Sequence, residues 1–308
     1  MLLTPRWFLG PNLRRARRSF PNEQEYGGPE SYRLTMVGMK PLRIMAFNIR
    51  HGAGLDGQVD LIRTAAVINS ARPDIVGLNE VDSFVRRSGF VDQAREIAGL
   101  TGMNYTFGPA LAGGSLGDGG FFGNVIMSRF PMGVSRNVPL PGGMENRAVL
   151  AVRLDCAGHA IVFASTHLDL DEQARLEQAR RVLAALEDFA AGVGNAMCTS
   201  SASRANGVLA APTILAGDFN ATPSAPEVAV IRGTLRDACE YGIPADLGSP
   251  APGKANSRST YPAGNPAVTI DYVFVSPEWR VLGWRVPWTD ASDHRPLIAA
   301  AALEPNTN

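Results

Sequence analysis

The chain has 308 residues, 45% of them hydrophobic, enough to bury a large core and far from disordered compositions. No run approaches eighteen apolar residues, so no transmembrane helix is expected, and the three scattered cysteines, Cys156, Cys198 and Cys239, spell neither a disulfide framework nor a zinc site. Charge balances at 29 basic against 29 acidic residues; residues 1 to 40 hold seven of the basic and three of the acidic, which leaves the remainder at 22 against 26, without the surplus of a duplex-binding protein.

Residues 1 to 40 read as an extension rich in Pro, Gly, Asn and Arg, with no lasting period and no ordered secretory signal. Arg14 to Arg18 is a basic run that reads as a solvated tail, or as sequence upstream of a true start at Met36 or Met39. From Pro41 the texture changes. Leu42 to Phe47 predicts a strand, 59 to 71 a helix closed by Pro73, 74 to 78 a buried strand and 93 to 100 a short helix. Residues 113 to 120, glycine-rich, predict a turn or lid. Strands are expected at 121 to 127, 148 to 154 and 160 to 166, then the longest helix at 171 to 189, with Leu176, Ala179, Val182, Leu183 and Leu186 on one stripe. Residues 191 to 211 read as an inserted loop. Further strands are expected at 213 to 217, 269 to 275 and 296 to 302, with Pro223 and Pro226 stopping whatever follows the first. Strands outnumber helices, which argues for two packed sheets with helices outside.

The segment Gly217-Asp-Phe-Asn-Ala-Thr-Pro223 places two polar side chains at the end of a buried strand, and the pattern repeats. Asn48 follows the first strand, Glu80 the second and His167 the strand 160 to 166; Asp271 sits inside 269 to 275; Asp293 and His294 precede the last. Any one of these is a turn former or a satisfied core residue. Together they build a polar site on one edge of a hydrophobic sheet. Carboxylates, amides and imidazoles without thiolates suit a hard cation, Mg²⁺ or Mn²⁺, and the handling of a phosphoryl group. A Walker loop and a His-Glu-x-x-His motif are absent.

Phe47-Asn48, Leu78-Asn-Glu-Val81, Gly123 to Arg129, Thr166-His167, Gly217 to Asn220, Ile270 to Tyr272 and Ser292 to His294 occur in the order seen in the endonuclease/exonuclease/phosphatase superfamily, which the chain resembles across 41 to 304. The resemblance implies a DNase I-like four-layer α/β sandwich, with two mostly antiparallel sheets flanked by helices, as one catalytic domain over 41–304 followed by a short tail at 305–308. It implies Glu80 as principal metal ligand, with Asn48 beside it and Asp293 in the metal region. Asp218 would orient or deprotonate the attacking water, and Asn220 and His167 would contact the phosphate. His294 would face the scissile phosphate with Asp271 orienting it. Arg147 and Asn124 complete the expected substrate contacts. Three positions depart from the usual pattern: Asn79 where Gln is common, Phe122 for Tyr and Thr269 for Arg. Residues 81 to 93 resemble a bacterial subgroup, placing Arg86, Arg87 and Asp92 near the mouth as substrate selectors or a salt-bridged loop.

These readings predict a Mg²⁺- or Mn²⁺-dependent phosphodiesterase acting on a small or lipid-like phosphoester, cytoplasmic by default. The alternatives are a nuclease, including an abasic-site enzyme, which the acidic balance disfavours, and a silent binding protein of the same fold.

Overall fold

The computed structural model describes residues 39–112, 119–195, 209–244 and 257–304. The expected extension (except its last two residues), the tail, and most of the lid at 113 to 120 and of the insertion at 191 to 211 lie outside the described residues.

In chain order the strands are β1 (Leu42–Asn48), β2 (Ile75–Ser83), β3 (Asn104–Ala112), β4 (Phe121–Ser128), β5 (Met132–Leu140), β6 (Arg147–Cys156), β7 (His159–His167), β8 (Thr213–Asp218), β9 (Arg236–Asp237), β10 (Asp271–Val275), β11 (Trp279–Arg285) and β12 (Leu297–Leu303). The α-helices are α1 (Leu61–Ala71), α2 (Gln93–Thr101), α3 (Glu172–Asn195), α4 (Pro226–Arg232) and α5 (Ala238–Tyr241). Asp60 and Asp92 start α1 and α2 by accepting from the Arg63 and Arg95 amides. Pro226, expected to stop the chain's local structure, instead opens α4, where a missing N–H costs nothing and the fixed φ helps.

One sheet runs β11-β12-β1-β2-β4-β3 and the other β5-β6-β7-β8-β10-β9. Among the described strands, only β1/β2 and β7/β8 pair in parallel; α1 and α3 are the helices that make those two crossovers possible. In β1, Ile44 and Ala46 face the other sheet's Leu150, Phe163 and Ile214, while Met45 and Phe47 pack outward with Ile68 and Ile97 of the helices. On the far side Ala179, Val182 and Leu186 of α3 cover Val162, Leu215 and Phe219. The result is the four-layer α/β sandwich that the resemblance implied. The two sheets approach closely at Gly77, where an added Cβ would lie 3.0 Å from Ser165 Oγ and 3.4 Å from Ala216 Cβ.

Candidate active site

Inner strands of both sheets end on the same rim, and their last residues are the polar ones. β1 ends at Asn48, β7 at His167 and β8 at Asp218, while β10 starts at Asp271 opposite Asp218. Glu80 reaches the rim by a different device. The register of β2 against β4 shifts between Leu78 and Val81, and Glu80 has φ +57°. A bulge of this kind turns a side chain out of the strand's alternation, at a backbone cost of roughly 1–2 kcal/mol. Asn220, at φ +49°, makes a similar turn after β8.

Asp218 is the hub. Its Oδ1 accepts from the Asn220 amide at 2.9 Å, and its Oδ2 accepts from Asn48 Nδ2 at 3.0 Å. The Nε2 atoms of His167 and His294 stand 3.6 and 3.7 Å from the same oxygen. Asn48 Nδ2 also donates to Glu80 Oε1 at 2.9 Å, so one amide joins both carboxylates. On the other side, His294 Nδ1 is 2.9 Å from Asp271 Oδ2, and both residues are buried. The ring of Tyr261 lies against the His294 ring with centroids 4.9 Å apart.

Burial raises Asp218 to about 7, with the neighbouring Asp271 adding to the rise and His294 opposing it. Burial works against charge on His294, yet Asp271 and Asp218 outweigh it and raise His294 to about 10. His294 is therefore an imidazolium at neutral pH. Its neighbour His167 goes the other way: burial, then the charges of Arg147 and His294, hold it well below the usual imidazole range. His167 is neutral, so its approach to Asp218 is not an ion pair. Glu80 is raised by burial, against the hydrogen bond from Asn48.

The sequence-derived set converges with three qualifications. Asn124 is consumed between the sheets: its oxygen accepts from Asn79 at 2.8 Å and its NH₂ donates to the Ala148 carbonyl at 2.9 Å. Arg147, expected to reach for substrate, is buried on Glu145 at 2.9 Å and beside His167 at 3.2 Å. Asp293 is partly exposed and paired with Arg50 at 3.5 Å, and its negative charge acts on Glu80. Of the mouth residues, Arg87 forks bidentately onto buried Asp82 at 2.9 and 2.7 Å, and Asp92 caps α2.

Sequence reasoning missed several supports. Asn79, noted only as a departure, ties the sheets: its oxygen accepts from the Asp218 amide at 3.0 Å and its NH₂ donates to Asn124 and the Thr166 carbonyl. The Ser292 hydroxyl donates to the Asn48 carbonyl at 2.8 Å and so docks the His294 loop onto β1. Tyr261 carried no sequence signal, because its loop has no period.

Two groups of residues have the donors for a cation. Asp218, Asp271 and His294 bring ligand atoms within 4.8 Å of one another. A protonated His294 has no lone pair to give, however, which favours the second group: Glu80, with the Asn48 amide and Asp293 at its side. Oxygen donors alone, with Glu80 raised by burial and by the charge of Asp293, fit a hard divalent ion.

The family model for the endonuclease/exonuclease/phosphatase family matches residues 45–294. No curated protein matches the chain. Among solved structures, an endonuclease/exonuclease/phosphatase from Beutenbergia cavernae DSM 12333 is 25% identical, over 86% of this chain and 72% of that one, with a TM-score of 0.63. The mannosyl-6-phosphatase Bt3783 of Bacteroides thetaiotaomicron VPI-5482 is 19% identical, over 84% and 99%, at 0.64. The human Nocturnin catalytic domain is 23% identical, over 87% and 96%, at 0.60. The match spans every strand end that carries a polar site residue, from Asn48 to His294, and this chain belongs to the endonuclease/exonuclease/phosphatase family.

Proposed function

We propose that the protein is a divalent-metal-dependent phosphodiesterase that hydrolyses a small or lipid-like phosphoester by in-line attack of water. Family membership supports phosphoester hydrolysis. The observation that carries the reading is the charged line in which Asp271 is hydrogen-bonded to His294 and His294 faces Asp218 at 3.7 Å, set beside Glu80. It places an imidazolium and a carboxylate raised to about 7 within a few ångströms of each other.

In this reading Asp218 takes a proton from the attacking water. Its raised pKa makes it a better base than an ordinary aspartate, while the ionised form stays accessible near neutral pH. His294, charged and held by Asp271, donates to a non-bridging oxygen as negative charge builds there. Glu80, with Asn48 and Asp293 beside it, would hold Mg²⁺ or Mn²⁺, which when bound neutralises phosphate charge. Asn124 serves by holding Asn79 rather than by meeting the substrate.

An apolar group beyond the phosphate is supported by Phe84, Phe90 and Phe121, which are exposed by 55%, 53% and 42%. Phe121 pairs with Ser83, at the end of the strand that carries Glu80. Phe84 and Phe90 take φ +58° and +59°, an unfavourable conformation for aromatic residues. The test is turnover of phosphomonoesters, phosphodiesters, sphingomyelin and abasic DNA with Mg²⁺, Mn²⁺ or EDTA. Metal-dependent cleavage of a diester is expected to exceed that of monoesters and abasic DNA. Equal rates in EDTA, or a preference for abasic DNA, would overturn the reading.

A further inference from the structure

Arg147 opens β6 and His167 closes the neighbouring β7. The guanidinium is 6% exposed, anchored through NH2 to Glu145 at 2.9 Å, and its NH1 lies 3.2 Å from His167 Nδ1. A guanidinium has N–H groups only and no lone pair. The contact is a hydrogen bond only if Nδ1 accepts. An imidazolium, or the neutral tautomer with its proton on Nδ1, would set donor against donor.

The opposite edge of the ring is equally constrained. Nε2 is 3.0 Å from Asn220 Nδ2 and 3.6 Å from Asp218 Oδ2. Asn220 Nδ2 also donates to the Leu168 carbonyl at 3.0 Å. Turning the amide over would set its oxygen against that carbonyl, so the NH₂ stays where it is. A neutral ring can accept from only one of these two donors, Arg147 NH1 at Nδ1 or Asn220 Nδ2 at Nε2, and the buried, charged guanidinium makes the stronger bond, so Nδ1 accepts and Nε2 carries the proton. His167 and Asn220 then present two N–H groups side by side next to Asp218. Two adjacent donors are best accommodated by one shared acceptor.

We propose that Arg147 is a positioning residue that locks His167 as the neutral Nε2–H tautomer, so that His167 and Asn220 act as a pair of uncharged donors to one phosphoryl oxygen. His167 gives a hydrogen bond and keeps its proton. The depressed imidazole basicity agrees, since burial and the Arg147 charge both oppose an imidazolium. The shared-oxygen part rests on the phosphoester reading; the tautomer does not.

The chain has four histidines, so the full protein labelled with ¹⁵N-histidine is readily read by long-range ¹H–¹⁵N correlation, with His167→Gln assigning the signal. At neutral pH the wild type should show His167 with Nδ1 bare and Nε2 protonated. Arg147→Met, similar in length but without donors, should bring in the second tautomer. A proton on Nδ1 in the wild type would overturn the lock, whatever the enzyme's substrate. Turnover of a defined diester tests the donor pair. His167→Ala should lose on the order of 100-fold in kcat. His167→Gln, which keeps an N–H near the Nε2 position but cannot act as an acid, should recover most of that loss. A Gln variant as poor as Ala, with the tautomer as expected, would overturn the paired-donor role and leave the phosphoester reading standing.

Discussion

Asp271 and His294 are 23 positions apart in sequence and 2.9 Å apart in the fold. Asp271→Asn and His294→Ala should each lower kcat by about 10²-fold or more with little change in KM. Because the two act as one unit, the double variant should be little worse than the worse single variant. Additive losses in that cycle would show that the residues work independently. The same pair sets a pH dependence of stability. His294 is raised from 6.5 to about 10, so its charged form stabilises the fold. That contribution is complete below the unfolded value of about 6.5 and is lost as pH rises through about 10. Asp218 acts in a lower window: its ionisation, pushed from 3.8 to about 7, lowers stability as pH rises between those values, and the loss is complete above about 7. In EDTA, the wild-type melting temperature should therefore fall as pH climbs from about 7 to about 10, and Asp271→Asn should flatten the slope. Equal slopes in the two proteins would remove the charge pairing from the account.

At the scale of elements, the bulge in β2 and its preceding residue hold the site together. Glu80 leaves the strand's alternation, while Asn79 points inward and crosses to the other sheet. Replacing Asn79 with Ala would strand the buried Asp218 amide and Asn124 oxygen without partners. Each orphaned buried group costs roughly 1–3 kcal/mol, so Asn79→Ala should destabilise the fold by ~2–3 kcal/mol in urea titration. A loss well under ~1 kcal/mol would mean that the inter-sheet tie is replaceable, for example by water. Gly217 is the matching constraint on the second sheet. At φ +147°, an added Cβ would collide with the Thr166 carbonyl oxygen, so the chain reaches Asp218 only through glycine.

On the scale of the whole molecule, the site draws Asn48 and Glu80 from one sheet, His167, Asp218 and Asp271 from the other, and His294 from the approach to β12. Gathering carboxylates at one rim leaves repulsion that a cation relieves. Mg²⁺ or Mn²⁺ should therefore raise the melting temperature by mass action, equivalent to about 2.7 kcal/mol at a hundred times Kd. Glu80→Gln should abolish this response and the activity. In EDTA the same variant should be at least as stable as the wild type, because it removes a charge that burial disfavours. A Glu80→Gln protein that still responds to metal like the parent would move the cation to another set of ligands. Among the described residues, no helix is long and apolar enough to cross a membrane.

How much of this was readable beforehand follows the position of each strand in its sheet. The eight inner strands, β1, β2, β4, β6, β7, β8, β10 and β12, were all visible as apolar runs, because both of their faces are largely buried and most of their residues are apolar or small. The four unread strands, β3, β5, β9 and β11, are the four sheet edges. β5 is largely exposed and contains Pro139, β3 contains Gly108 and Pro109, and β11 is broken by a bulge. Edge strands carry polar residues and prolines that inner strands exclude, so their local pattern resembles loop. Polar residues at strand ends were likewise legible, since an Asp or His closing an apolar run stands out against its surroundings. Their partners were not. That Arg147 meets His167, that Asn124 serves Asn79, and that Tyr261 lies against His294 depends on which strands neighbour one another and how two sheets stack. Local propensity acts over a few residues, whereas those contacts are set by the burial of whole faces across the chain.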